Sequence, residues 1–178
     1  MKKYLLLAAL AAATSSQAAD WTPVFEHLQV GKNDNDDDIT WTIRQSIFED
    51  TPKPNPLTKE ARQGTYTSIP KPYRKDMMPA KFIKGKEDED PILKGIIPLK
   101  NATLYGYPLK SLNYDLYCHD CGDTSFYATF APMTLSQHNS LVKKVEFRYE
   151  GDICGDPRHI ARFERVGKTT VLIVDDGC

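Results

Sequence analysis

The sequence predicts an α+β fold. An antiparallel sheet with one short helix, in the order β-β-α-β-β-β, fills the C-terminal half, and a Pro-rich extended N-terminal segment precedes it. Three observations carry this. Short runs of alternating apolar and polar residues recur after residue 99. Eight of the twelve prolines fall between residues 49 and 98: Pro52, Pro54, Pro56, Pro70, Pro72, Pro79, Pro91 and Pro98. All four cysteines, Cys118, Cys121, Cys154 and Cys178, lie in the final part of the chain.

Residues 1–18 read as a secretory signal peptide. Lys2 and Lys3 form a positive start, Tyr4 to Ala13 an apolar stretch too short for a membrane helix, and Ser16-Gln17-Ala18 a small-x-small cleavage site. Cleavage after Ala18 is favoured over cleavage after Ala19, which would place Gln17 at the −3 position. The expected location is the periplasm of a bacterium or the medium outside it. No cysteine follows the apolar run to carry a lipid, and no later run is long enough to span a membrane.

Removing 18 residues from 178 leaves 160, enough for one domain with a substantial core. Loss of Lys2 and Lys3 takes the formal charge from −1 to −3. So balanced a surface gives no reason to expect nucleic acid or anionic membrane as partner.

Residues 19–48 form an N-terminal segment with one expected strand. Ile39, Trp41, Ile43 and Ile47 are spaced by multiples of two, with Thr40, Thr42 and Arg44 between them. A helix starting at the acidic run before them is the competing assignment. Residues 49–98 are expected as an extended wrap or linker, because proline lacks a backbone donor and disfavours helix at the residue before it. Tyr66, Ile69, Tyr73, Met77, Met78, Phe82 and Ile92 are available to tack it onto a domain. "KGKEDED" at 84–90 reads as a solvated loop.

Residues 99–178 read as a disulfide-containing α+β domain. Leu112, Tyr114 and Leu116 alternate as on a half-buried strand, as do Phe126, Ala128 and Phe130. Thr134 with Gln137 three residues on is a capping-box pattern, starting a short helix over 134–144. Val145, Phe147 and Tyr149 alternate in a further strand. Two final strands flank Gly167-Lys168, a two-residue hairpin turn. The last, "TTVLIV", is apolar on both faces and belongs in a covered position.

Few motifs carry chemistry. "GKTT" at Gly167 resembles the end of a phosphate-binding loop, but Arg162 stands where that loop needs glycine, and a strand follows. Asp34, Asp36 and Asp38 occupy the first acidic positions of a calcium loop, but Ile39 and Gln45 replace its glycine and its final glutamate. Arg158, Arg162, Arg165 and Lys168 form a basic stretch near the hairpin. Arg162 and Glu164 share a strand face, so mutual neutralisation is expected.

"CHDC" invites a redox reading. A reactive thiol needs a helix N-terminus or positive charge. Here a strand leads in, Gly122 follows, and Asp120 and Asp123 disfavour a thiolate. The expectation is a structural staple. If helix 134–144 returns the chain across the sheet, Cys118–Cys121 and Cys154–Cys178 are the favoured disulfides. If it does not, all four cysteines gather at one edge and crossed pairs compete. Each bridge stabilises by roughly 2–4 kcal/mol.

These readings converge on an exported non-enzymatic protein: a binding, inhibitor or envelope accessory module acting through protein contacts. Trp21, Trp41, Tyr66 and Tyr73 are its candidate interface anchors, with core burial the competing fate of the tryptophans. No catalytic residue, metal or cofactor is assigned. The alternatives are an envelope hydrolase using Glu164, Asp175 or His159, and a thiol or metal protein built on Cys118 and Cys121.

Overall fold

The computed structural model describes residues 18–32, 38–47, 56–85, 91, 93–117, 124–150 and 158–174. It is a mixed α+β fold built on a seven-stranded sheet with a few short helices.

The N-terminal part feeds both the sheet edge and the core. Strand β1 (Ala19–Asp20) pairs parallel with β3 (Leu93–Leu104), Ala19 opposite Ala102. Helix α1 (Thr22–Phe25) carries Pro23 in its first turn, where a missing N–H costs nothing, and a 3-10 turn follows at Glu26–Leu28. Trp21, Val24, Phe25 and Leu28 are all buried.

The expected strand at 39–47 is a helix, α2 (Asp38–Ile47). Ile39, Ile43 and Ile47 fit spacings of two and of four equally well, so the pattern is ambiguous. Tertiary contact decides: Thr40, Ile43, Ser46 and Ile47 go inward while Trp41 faces water. Gly95 in β3 permits the docking. A Cβ there would lie 2.8 Å from the Ile47 carbonyl oxygen.

The Pro-rich stretch is not simply extended. It forms α3 (Pro56–Gln63), α4 (Lys71–Arg74) and β2 (Lys81–Lys84), which pairs with β3. Pro56 opens α3, and Pro72 sits in the first turn of α4, so these prolines start helices instead of preventing them. Tyr66, Ile69 and Met77 are buried, and Tyr73 and Phe82 pack against the same core as the sheet residues. Met78 is largely exposed, and Ile92 lies outside the described residues. Strand β3 continues through position 99, with a register shift against its neighbour strand between Pro98 and Ala102.

The main sheet runs β1-β3-β4-β5-β9-β8, with β2 on the other end of β3's free edge. Its remaining strands are β4 (Tyr107–Leu116), β5 (Thr124–Phe130), β8 (Ala161–Val166) and β9 (Thr169–Val174). Strands β3 and β4 form a hairpin that the sequence reading missed. Its turn is Tyr105-Gly106, both at positive φ (54° and 85°), with Leu104 opposite Tyr107. The turn at Gly167-Lys168 is as expected: Gly167 takes φ 62°, and Val166 pairs with Thr169. β9 lies between β5 and β8, which accounts for its two apolar faces.

Helix α5 (Leu135–Lys144) starts with the expected capping box. Gln137 N donates to Thr134 Oγ1 (3.2 Å), and Thr134 N donates to Gln137 Oε1 (2.8 Å). Its path differs from expectation. Met133 N donates to Lys168 O (2.9 Å), tying the start of α5 to the β8–β9 turn. Lys144 Nζ donates to Tyr105 O (3.1 Å), tying its end to the β3–β4 turn. Both turns lie at one end of the sheet, so α5 runs along that end and does not cross back.

The stretch at 145–149 is also not a strand of the main sheet. Phe147 bridges Gln29, and β6 (Tyr149–Glu150) pairs only with β7 (Arg158–His159). Phe147 packs 5.0 Å from Phe163, so the stretch is held by the core face and the N-terminal segment. That face is mainly apolar, with Leu112, Phe126, Phe130 and Leu172 fully buried. Burial of this kind stabilises by roughly 1.5–3 kcal/mol per large side chain.

Three tyrosines test this packing. Burial is the largest cause raising the Tyr66, Tyr105 and Tyr127 hydroxyls well above the ordinary tyrosine range, and nearby Asp115 adds to the effect at Tyr127. Their contribution to stability is complete below the unfolded value of about 10 and is lost as pH rises above it, since unfolded phenols then shed protons that the folded ones keep. Urea midpoints should hold up to about pH 10 and fall beyond it, together with a late rise in phenolate absorbance. Equal midpoints on both sides of that pH would contradict the burial.

Candidate functional site

One open depression, of about 340 Å³, lies where the start of α5 meets the β8–β9 turn. Pro132, Met133, Thr134, Gln137, Arg165 and Lys168 line it. The strand alternation explains why Arg165 belongs here. Ala161, Phe163 and Arg165 project toward the core face, and Arg162, Glu164 and Val166 away from it. Arg165 Nη2 donates to Met133 O (3.1 Å) and Nη1 to Thr134 O (3.4 Å), which holds the guanidinium against the entry to α5. Lys168 is exposed at the turn.

The lining holds two charged residues, Arg165 and Lys168, and both are cationic. No carboxylate among the described residues pairs with either. Leu135, next in the chain after the lining residue Thr134, is an exposed apolar side chain (59%), while exposed Val166 points to the opposite face of β8 from Arg165. The capping box already engages part of the helix N-terminus, so any pull on an anion comes chiefly from these two side chains.

The opposite face of the sheet carries a polar network. Lys94 Nζ lies 3.2 Å from Asp115 Oδ2, and the Tyr127 hydroxyl donates to Asp115 Oδ1 (3.2 Å). Asn113 Nδ2 donates to Thr129 Oγ1 (2.8 Å), and Ser111 Oγ donates to Asn113 Oδ1 (3.2 Å). Burial and nearby Asp115 raise the Tyr127 hydroxyl, which acts as a donor in this network. These contacts satisfy one another, as in a structural network.

The sequence candidates fare unevenly. Trp21 and Tyr66 are buried in the core and are not available as surface anchors. Trp21 meets half-buried Tyr73 with tilted rings at 5.0 Å, and the Tyr66 hydroxyl donates to Met78 O (2.7 Å). Trp41 is 62% exposed. Glu164 is paired with Arg162 at 2.9 Å, as strand alternation predicts. Asp175, the His159 side chain and all four cysteines lie outside what is described, as do Asp34 and Asp36. Among the described residues no group of three His, Cys, Asp or Glu could hold a metal. The acidic run leads into a helix at Asp38, not into a strand.

The described residues that flank the cysteines do lie together. Leu116 pairs with Thr124, and Phe126 with Val174, which in turn pairs with Ala161. These positions mark the sheet end opposite α5, and Cys154 itself lies outside the described residues. The depression itself was legible only in part: Arg165 and Lys168 were noted as a basic stretch, but the pairing of Arg165 with the α5 entry depends on the fold.

The chain matches no family model, no curated protein and no solved structure. No helix among the described residues is long and apolar enough to cross a membrane.

Proposed function

We propose that the chain is an exported, non-enzymatic binding module that acts through protein contacts in the bacterial envelope. Its contact site is the depression between α5 and the β8–β9 turn, and its partner presents an acidic segment flanked by apolar side chains. The observation that supports this is the joining of two cations without carboxylate partners to the apolar lining of Pro132 and Met133 and to exposed Leu135, next in the chain after Thr134. Interface hot spots combine an apolar anchor with Arg and charge complementarity of this kind. Trp41, on a helix seated by the Gly95 contact, offers a second anchor toward the other edge of the sheet.

A photoreactive residue placed at Leu135 should capture an envelope protein, and Lys168→Glu in the same chain should cut that yield at least about tenfold, the loss expected for reversing one interface charge. The same probe at Trp41 reports whether the second anchor is used. No adduct from either position, with turnover in an unbiased substrate screen, would sink the reading in favour of an enzyme.

The four cysteines are read as two disulfides, a staple and not a reactive centre. Because their flanks share one sheet end, Cys118–Cys121 with Cys154–Cys178 is one of several open pairings. Alkylation of the denatured, unreduced protein should add no mass, and alkylation after reduction should add four labels. Labels before reduction, or zinc released on denaturation, would move the reading to a thiol or metal protein.

A further inference from the structure

We propose that cleavage after Ala18 creates a buried charge pair, in which the freed α-ammonium of Ala19 seats on the carboxylate of Asp76. Removal of the leader then completes the fold. The inference rests on the export reading above, and its geometry stands independently of it. Ala19 N donates to Asp76 Oδ2 at 3.1 Å. Ala19 is buried, and Asp76 is 2% exposed.

Both partners are fixed before any cleavage. Asp76 N donates to Tyr73 O (3.0 Å), Asp76 O accepts from Lys100 N (2.8 Å), and Met77 bridges Leu99. Ala19 is held by its parallel pairing with Ala102, and Trp21 N donates to Thr103 O (2.8 Å). The seat is therefore a rigid acceptor facing a rigid donor.

The choice of an acid at position 76 is the telling point. In the uncut chain Ala19 offers one neutral N–H, which an asparagine or serine oxygen would satisfy. A carboxylate so deeply buried needs a cation to offset the loss of water. Among the described residues no Lys, Arg or His pairs with Asp76. Cleavage supplies the missing charge. Water adds across the Ala18–Ala19 peptide bond, leaving a carboxylate on Ala18 of the leader and an ammonium on Ala19. The new donor has the charge and the extra hydrogens that the seat lacks.

The seat also selects the bond. Cleavage one residue later would put the ammonium on exposed Asp20, whose side chain already accepts from Thr22 N (3.0 Å). And it gives the order of events a physical sense: the chain reaches full stability only after the leader has gone, so the leader-bearing precursor stays easier to unfold.

Four purified proteins test the pair. One begins at Ala19, released from a fusion cut at that bond. One carries a Gly-Ser-Gly-Ser extension ahead of Ala19. Each is also made with Asp76→Asn. The proposal expects the authentic start to raise the folded-to-unfolded ratio at least about tenfold over the extended chain, the order expected for one buried charge pair. It expects D76N to remove most of that gain. An equal ratio for the authentic and extended chains would overturn the seat, even if D76N fails to fold. N-terminal sequencing of the exported chain separates the two ideas. Ala19 as first residue supports both, Asp20 overturns the seat, and an uncut chain overturns the export reading while the four-protein comparison still decides the seat.

Discussion

Tyr105 is the residue on which the rest of the structure depends. It sits in the left-handed region at φ 54°, in the turn between β3 and β4, a state that costs a non-glycine residue about 1–2 kcal/mol. Such strain persists only where the surroundings over-determine it. Here they do. The Tyr105 N–H donates to Thr22 Oγ1 (2.8 Å), and its carbonyl accepts from Lys144 Nζ (3.1 Å). Its hydroxyl donates to Phe25 O (3.4 Å), and its ring meets Phe163 edge-on at 6.1 Å. One buried side chain and its peptide thus tie together α1, the end of α5, β8 and the first hairpin. These parts are far apart in sequence.

That knot governs both functional proposals. Helix α5 is fixed at its end by Lys144 on Tyr105 and at its start by the capping box and Arg165. The depression beside that start therefore has walls that cannot drift apart without breaking a connection at one end or the other. The N-terminal segment is fixed in the same way. Ala19 rests on Asp76, Trp21 is buried, Thr22 meets Tyr105, and Phe25 stacks on Phe126 at 6.3 Å. A charge placed at Ala19 acts on a strap already threaded through the core, so a local gain there is felt by the sheet.

Sequence patterns spoke clearly where local chemistry decides structure. The Thr134–Gln137 box, the Gly167-Lys168 turn and the covered position of β9 all follow from side-chain chemistry within a few residues. Patterns failed where distant contacts decide. Ile39, Ile43 and Ile47 serve a strand or a helix, and the space left by Gly95 selects the helix. Prolines signal an extended chain by composition but start helices by position, as Pro56 and Pro72 do. Tyr105-Gly106 lacks the Asn-Gly or Asp-Gly signature of its turn, so the first hairpin was invisible. Its absence from the reading also hid where α5 ends, and with that the shared sheet end of the cysteine flanks. The candidate site was legible as charge, in Arg165 and Lys168, but not as shape. The Ala19–Asp76 contact joins positions 57 apart and leaves no local trace.

Urea unfolding of Tyr105→Asn tests the knot most directly. Asparagine tolerates the left-handed turn, so the hairpin backbone keeps its preferred state while the ring and hydroxyl contacts are lost. The account predicts a loss of roughly 3 kcal/mol, the order found when a buried aromatic side chain is truncated. A change within about 0.5 kcal/mol, the range of an ordinary surface substitution, would contradict it.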